Sequence, residues 1–127
     1  KSKVFPESSK VFEYLQDRYP LHINTDGFEE VQQKKLDVSD LRKYFTTITT
    51  SEEAGVKKPE PWIFALSLRK AGASPEESLM IGDDLVVDMD GARNIGMDTM
   101  YFNPEQIPHK EPVTFEIPTW KDISNYL

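Results

Sequence analysis

The feature that most constrains the fold is an apolar run followed at once by acidic residues, LMIGDDLVVDMD, which begins at Leu79. Residues 79–81 are apolar, as expected for a short strand that is buried on both faces of a sheet. Gly82 then permits a sharp turn of the backbone, so Asp83 and Asp84 follow at the carboxyl end of this strand. Ligands of open α/β sheets bind at that edge, so the run predicts a ligand site there.

A third carboxylate suggests that the ligand is a metal ion. Asp88 follows Asp83 by five residues and falls at the start of the next predicted helix. Carboxylates this close repel each other where water is excluded. A hard cation relieves the repulsion, and Mg²⁺ typically uses one or two protein carboxylates, so we expect one or two of these acids at a Mg²⁺ site. The alternative is an acidic loop that caps a helix, since aspartate is a preferred N-cap residue.

The order of the predicted elements indicates an α/β fold with a doubly wound parallel sheet. Apolar or β-branched runs alternate with amphipathic segments along the chain, which is typical of this class. Strands are predicted at 21–25, 46–50, 79–82, 99–102 and 114–117, and residues 52–59 as a loop. Helices are predicted from Ser8 or Ser9 to before Pro20, at 28–36, 39–45, 61–69, 74–77 and 88–95, and after Thr119. We see no domain boundary within residues 1–127.

Composition excludes several classes of function. With 127 residues, of which 38% are hydrophobic, the chain is large enough for one domain with a core. The net charge of −7 and the lack of a basic stripe argue against a nucleic-acid polymer as partner. No apolar run approaches the ~18 residues of a membrane span. The absence of cysteine rules out disulfides and thiolate chemistry, which fits a cytoplasmic protein.

Three polar groups are expected to meet at the carboxyl edge of the sheet. Thr25 ends one predicted strand, Lys58 precedes a predicted helix, and Asp83 ends another strand. The hydroxyl and the N–H groups of the Asp26-Gly27 turn can hold phosphate oxygens, and a lysine can neutralise developing charge. Taken together they predict a site that handles phosphate, although a lysine in such a loop is ordinarily a solvated surface residue.

The same residues resemble a known family. The order T-D-G-F, then K-K-P, then I-G-D-D-x-x-x-D-x-x-G-A-x-x-x-G is similar to motifs two, three and four of the haloacid dehalogenase-like (HAD) hydrolases. The resemblance runs from about Val4 to Phe102, and the fourth motif is its most specific part. The stretches TDGFEEVQQKKL and SEEAGVKKP further resemble the pyrimidine 5′-nucleotidases that act on noncanonical nucleotides.

The resemblance implies a Rossmann-like core and a Mg²⁺-dependent phosphomonoester hydrolase that acts on a nucleotide or another small phosphorylated metabolite through an aspartyl-phosphate. It implies that Thr25 binds the transferring phosphoryl group and that Lys58 stabilises its charge. It further implies that Asp83 is a Mg²⁺ ligand and that Asp88 holds Lys58 in place or supports the metal shell.

Two departures from the family pattern affect these expectations. The family usually has Asn where this chain has Asp26, and an extra anion beside a phosphate is unfavourable unless it is turned away or neutralised. The first motif, D-x-D-x-T/V, which carries the nucleophile, is not found before Thr25. We therefore expect the part of a HAD core that follows the cap, without the first strand. In the fold that the chain resembles, this strand lies between the strand that ends at Thr25 and the strand at 79–82. Either an upstream segment completes the sheet, or the two edges close on each other, or a second copy fills the gap.

Two other classes of function stay open. A receiver module of signalling proteins also combines Asp, Thr, Lys and Mg²⁺ on a doubly wound sheet. Receivers place their acidic pair first, whereas here Thr25 and Lys58 precede the acids, which counts against this class. The other possibility is a catalytically silent fragment or interaction module.

Overall fold

The computed structural model describes residues 8–26 and 42–127. The described strands are β1 (His22–Thr25), β2 (Thr47–Thr50), β3 (Leu79–Gly82), β4 (Asp98–Phe102) and β5 (Phe115–Ile117). The α-helices are α1 (Ser8–Gln16), α2 (Ser51–Ala54), α3 (Pro61–Ala71) and α4 (Gly91–Asn94), with a π-helix at Leu85–Asp90. Short 3-10 turns lie at Arg42–Tyr44, Pro75–Glu77 and Trp120–Asn125. The helix predicted at 28–36 and the first part of the turn predicted at 39–45 lie outside the described residues.

All strand pairs among the described residues are parallel, which confirms the predicted α/β class. Strand β1 pairs with β2, and Thr25 lies opposite Thr50. Strands β3, β4 and β5 form a second sheet in that order, in which Gly82 lies opposite Tyr101. Since the strands of each sheet are parallel, their carboxyl ends share one edge, where the predicted site residues are found.

Two strand edges lie open in the described part of the chain. Strand β1 hydrogen-bonds only to β2, and β3 only to β4, so the two sheets are not joined by a strand that the structure describes. Each of these strands therefore has one row of backbone groups without a described strand partner. The expectation that a further strand lies between β1 and β3 stays a prediction.

The largest hydrophobic cluster joins the first helix to the last elements of the chain. Val11 and Leu15 of α1 pack with Met100 of β4, Ile117 of β5 and Ile123 of the last turn. The Tyr14 hydroxyl also donates to the Leu127 carbonyl at 2.9 Å. A separate cluster, built from Ile63, Phe64 and Ala92, packs α3 against α4. No helix of the described residues has the length and apolar character needed to cross a membrane.

Two local predictions were wrong. Residues 52–59 were expected to form a loop, but Ser51–Ala54 is helical because the Thr50 side chain accepts the Glu53 N–H at 3.1 Å. The helix expected to begin at Asp88 begins three residues earlier, as the π-helix.

Candidate active site

A buried ion pair forms the centre of the site. Lys58 Nζ lies 2.8 Å from Asp88 Oδ1, and the two side chains are only 10% and 9% exposed. The same ammonium donates to the Asn24 carbonyl of β1 at 3.1 Å. Lys58 therefore connects β1 with the π-helix that follows β3, across the interval between the two sheets. The contact expected between Lys58 and Asp88 is thus present, while their roles in a reaction stay predictions.

The extra acid, Asp26, hydrogen-bonds to the loop that carries this lysine. Its Oδ1 atom accepts the backbone N–H of Lys58 at 2.9 Å, and its carbonyl accepts the Ser51 hydroxyl at 3.1 Å. An asparagine can accept the same N–H bond through its side-chain oxygen, which explains how either residue suits this position. Asp26 therefore fixes the Lys58 loop against the end of β1. Gly27 lies outside the described residues.

The two acids after β3 have different surroundings. Asp84 caps the π-helix, because its Oδ1 accepts the N–H groups of Val86 at 3.0 Å and Val87 at 2.8 Å. Asp83 is exposed, and its carboxylate accepts no hydrogen bond from the part of the chain that the structure describes. The capping alternative thus applies to Asp84 and leaves Asp83 available for a ligand.

The chemistry of these groups suits Mg²⁺ better than a cation that needs a closed protein cage. Within residues 8–26 and 42–127, no three His, Cys, Asp or Glu side chains are grouped to hold a metal. Mg²⁺ keeps several waters and needs only one or two carboxylates together with substrate oxygens. The free Asp83 carboxylate fits that requirement. Asp88 was also expected at the metal, and its described contact is with Lys58, so its ligand role stays a prediction.

Gly82 makes room for the ion pair. A Cβ atom at this position would lie 2.5 Å from Asp88 Oδ2 and 2.8 Å from the Asp88 Cβ and Cγ atoms. Since even an alanine would overlap the carboxylate, Asp88 can reach Lys58 only because residue 82 has no side chain.

We expect Gly82→Ala to lower stability by about 1–3 kcal/mol, the usual cost of overpacking, and to reduce activity strongly by displacing Asp88. Thermal unfolding measures the loss of stability, and steady-state rates of a protein that includes the residues encoded upstream measure the loss of activity. Gly72→Ala is the matched control, because Gly72 has φ +66 and nothing within 4 Å of its added Cβ. That variant is strained but should keep its activity, whereas equal losses of activity in both variants would contradict the assignment.

Sequence reasoning missed a polar cluster beside this site. Tyr101 lies opposite Gly82 and is 8% exposed, and its ring packs edge-on against His109 at 5.1 Å between centroids. Burial raises the pKa of Tyr101, and the charges of Glu116, Asp83 and Asp84 raise it further. Both effects favour the neutral phenol.

Glu116 of β5 holds the far side of this cluster. Burial raises the pKa of Glu116, but hydrogen bonds from Asn103 and His109 outweigh that effect and leave it below its usual value. A cavity of about 460 Å³ adjoins it, lined in part by Asn103, Gln106 and Pro118. The only sequence signal for the cluster was the position of Asn103 directly after a predicted strand.

Parallel strands with helices between them, and with the Lys58–Asp88 pair and the exposed Asp83 at their carboxyl edge, define an α/β protein with a charged site at that edge. Residues 1–96 match the haloacid dehalogenase-like hydrolase family, and the chain belongs to that family. This confirms the family resemblance, which rested on the three motifs in their order along the chain.

Proteins similar to this chain carry names that describe different activities. The pyrimidine 5′-nucleotidase PynA of Streptococcus pneumoniae is 32% identical over 112 residues, covering 86% of this chain and 47% of PynA. A glyceraldehyde 3-phosphate phosphatase of Pyrococcus furiosus is 40% identical over 84 residues, which cover 66% of this chain and 35% of the phosphatase. The structure of the HAD-hydrolase YfnB of Bacillus subtilis, solved with bound magnesium, is similar to this one with a TM-score of 0.91 and 29% sequence identity. The match covers 97% of this chain and 55% of YfnB.

The similarity to PynA agrees with the predicted likeness to pyrimidine 5′-nucleotidases. The chain spans about half the length of the curated relatives that it matches first.

Proposed function

We propose that this chain is the part of a Mg²⁺-dependent phosphomonoester hydrolase that binds the phosphate and the metal. The substrate is a nucleotide or another small phosphorylated metabolite. The observation that carries the proposal is the buried Lys58–Asp88 pair, which lies at the carboxyl edge of the sheets together with Thr25 and Asp83. The family match and the relatives named as phosphatases and nucleotidases support it.

Lys58 has the central chemical role in this proposal. Asp88, Asn24 and Asp26 fix the side chain and the backbone of the lysine, so its ammonium is positioned before a substrate arrives. A preorganised positive charge stabilises the negative charge that develops on a transferring phosphoryl group. Thr25 and the turn at 26–27 would hold the other phosphate oxygens.

Asp83 would be the main ligand of Mg²⁺ from this chain, with Asp88 as its support. The magnesium in the YfnB structure supports the choice of cation. When bound, the ion would neutralise phosphate charge and orient the transferring group. The nucleophile would be an aspartate of the first motif, supplied by a segment upstream of this chain. It would attack the phosphorus and release the alcohol of the ester, and water would then hydrolyse the aspartyl-phosphate to free aspartate and inorganic phosphate.

A steady-state assay with a generic phosphate ester and Mg²⁺ tests this function. We expect no turnover by residues 1–127 alone and clear turnover when the encoded upstream residues are included, a form we call the extended protein. Pyrimidine 5′-nucleotides and glyceraldehyde 3-phosphate should then be compared as substrates. An extended protein that hydrolyses no phosphate ester would overturn the proposal, and phosphorylation without turnover would favour a receiver.

We also expect residues 1–127 not to fold alone as a stable monomer. Strands β1 and β3 each have one edge without a described strand partner. Buried backbone groups without partners cost about 1–3 kcal/mol each, and the stability of a domain is only about 5–15 kcal/mol. Several such losses suffice to unfold the chain, while an open apolar edge recruits other strands. An upstream segment or a second copy would complete the sheet.

Size-exclusion chromatography and thermal unfolding of residues 1–127 check this prediction, with the extended protein as control. We expect aggregates, oligomers or a broad transition for the shorter chain and a sharp transition for the extended one. A monodisperse monomer of residues 1–127 that unfolds in one sharp transition would refute it.

A further inference from the structure

Asp26 lies between the two groups that the proposed function assigns to the phosphate. It directly follows Thr25, the last residue of β1. Its Oδ1 atom accepts the backbone N–H of Lys58 at 2.9 Å, while the ammonium of the same lysine lies 2.8 Å from Asp88. The Asp26 carboxylate is therefore joined to one phosphate-binding group by the chain and to the other by a hydrogen bond.

The position of Asp26 is also fixed from a second side. Its backbone carbonyl accepts the Ser51 hydroxyl at 3.1 Å, and Ser51 is the first residue of α2. Asp26 thus connects the end of β1 with the start of α2 and with the Lys58 loop. Turning the carboxylate away from the site would take from the Lys58 N–H its described acceptor, so the negative charge is held where it is.

The charge of Asp26 adds to an excess of carboxylates at this edge of the sheets. The Lys58 ammonium is matched by Asp88, so this ion pair has no net charge. The hydrogen bonds described for Asp26 and Asp84 come from neutral backbone N–H groups, which leave each negative charge in place. Asp83 adds a third. Mg²⁺ and Lys58 would together accommodate one phosphoryl group, whereas a second anionic group of the substrate would be repelled by the remaining carboxylates.

We propose that Asp26 determines which phosphate esters the site accepts. Its hydrogen bond positions the Lys58 loop, and its charge selects esters whose leaving group is neutral over esters that carry a second anionic group. The inference rests on the proposed function in placing the phosphoryl group between Thr25 and Lys58. Repulsion of the unwanted ligand is a general source of specificity. Nucleosides and glyceraldehyde are neutral leaving groups, so their phosphate esters belong to the favoured class.

Steady-state rates of the extended protein with uridine 5′-monophosphate and uridine 3′,5′-bisphosphate test the role of the charge. The two esters differ only in the phosphate on the 3′ oxygen. We expect a higher kcat/KM for the monophosphate. Asp26→Asn should reduce this preference by about 3- to 10-fold, because it removes the charge and keeps an oxygen for the Lys58 N–H. Higher ionic strength should also reduce the preference of the unsubstituted protein, since salt screens the repulsion.

Asp98→Asn is the matched control for the charge. Asp98 is exposed and begins β4, so it lies at the opposite edge of the sheet from the site. The variant loses the same charge and should keep the full preference for the monophosphate. An unchanged preference in a folded Asp26→Asn protein, or an equal change in Asp98→Asn, would overturn the role assigned to the Asp26 charge.

Asp26→Ala tests the role of the hydrogen bond, because it removes the acceptor as well as the charge. It should lower kcat for both esters by about 10-fold or more, since small displacements of a catalytic group are costly. Asp26→Asn should keep kcat for the monophosphate near that of the unsubstituted protein. Circular dichroism checks that both variants are folded. Equal kcat values in the two variants would overturn the positioning role.

The outcomes separate this inference from the proposed function. If the extended protein hydrolyses neither ester, titration calorimetry with the same two esters and Mg²⁺ measures the preference as binding. A binding preference that Asp26→Asn reduces would then support the inference and reject the function. Hydrolysis of both esters with the same preference before and after Asp26→Asn would reject the inference and keep the function. An extended protein that neither hydrolyses nor binds the esters would overturn both.

Discussion

Replacement of Asp83 by asparagine is expected to abolish phosphatase activity in the extended protein while leaving it folded. The amide provides a neutral oxygen where Mg²⁺ prefers a carboxylate. Asp83 is exposed and has no hydrogen-bond partner among the described residues, so the folded protein loses no contact when Asp83 is replaced. Removing one charge also reduces the repulsion with Asp84 and Asp88. Steady-state rates over a range of Mg²⁺ concentrations, with circular dichroism as the folding check, measure the effect.

Asp84→Asn is the matched control for this change. It removes the same charge one residue away, but its remaining side-chain oxygen can still accept the N–H groups of Val86 and Val87. We therefore expect Asp84→Asn to retain most of the activity. Full activity of Asp83→Asn at moderate Mg²⁺ would reject Asp83 as the main metal ligand, and equal losses in both variants would indicate a general effect of charge.

In the extended protein, Lys58→Ala should lower kcat by about 10² or more. This is the usual scale for losing one preorganised electrostatic contact to a developing charge. Lys57 provides the control because it is exposed, whereas the Lys58 side chain is buried against Asp88. Lys57→Ala should therefore change kcat little. If the two lysines exchange these effects, the assignment of the third motif is wrong by one residue.

The loss of Lys58 also has a cost in stability that the assay must separate from catalysis. Removing one partner of a buried ion pair typically costs about 3–5 kcal/mol, because the remaining charge stays buried. The double variant Lys58→Met/Asp88→Leu removes both charges and should recover much of that stability without recovering kcat. Recovery of kcat together with stability would show that Lys58 only holds the fold.

The strongest local signals in the sequence predicted the scaffold well. The apolar run at Leu79–Gly82 forms β3, and Pro61 opens a helix that continues to Ala71. The capping box at Ser74 is present, since its backbone N–H donates to Glu77 at 3.0 Å. Such features are set by residues within a few positions of each other, so they can be recognised without tertiary information.

The features that were missed depend on contacts between distant residues. The contact of Lys58 with Asp88, thirty residues further along, was expected only through the family resemblance, because no local pattern shows it. Tyr101 and Glu116 come together only through the register of β4 with β5. The π-helix was missed because its wider turn leaves an ordinary helical pattern in the sequence.

The contact between α1 and the last turn has a consequence for synthesis. The main core needs Val11 and Leu15 from the first helix and Ile117 and Ile123 from near residue 127. During translation, at about 5–20 residues per second, α1 therefore emerges long before its partners exist. The nascent chain must keep that apolar helix surface from other proteins until residues 117–123 have left the ribosome. This core is therefore completed only after residues 117–123 have been synthesised, and a chain that ends just before Ile117 leaves α1 without part of its packing surface.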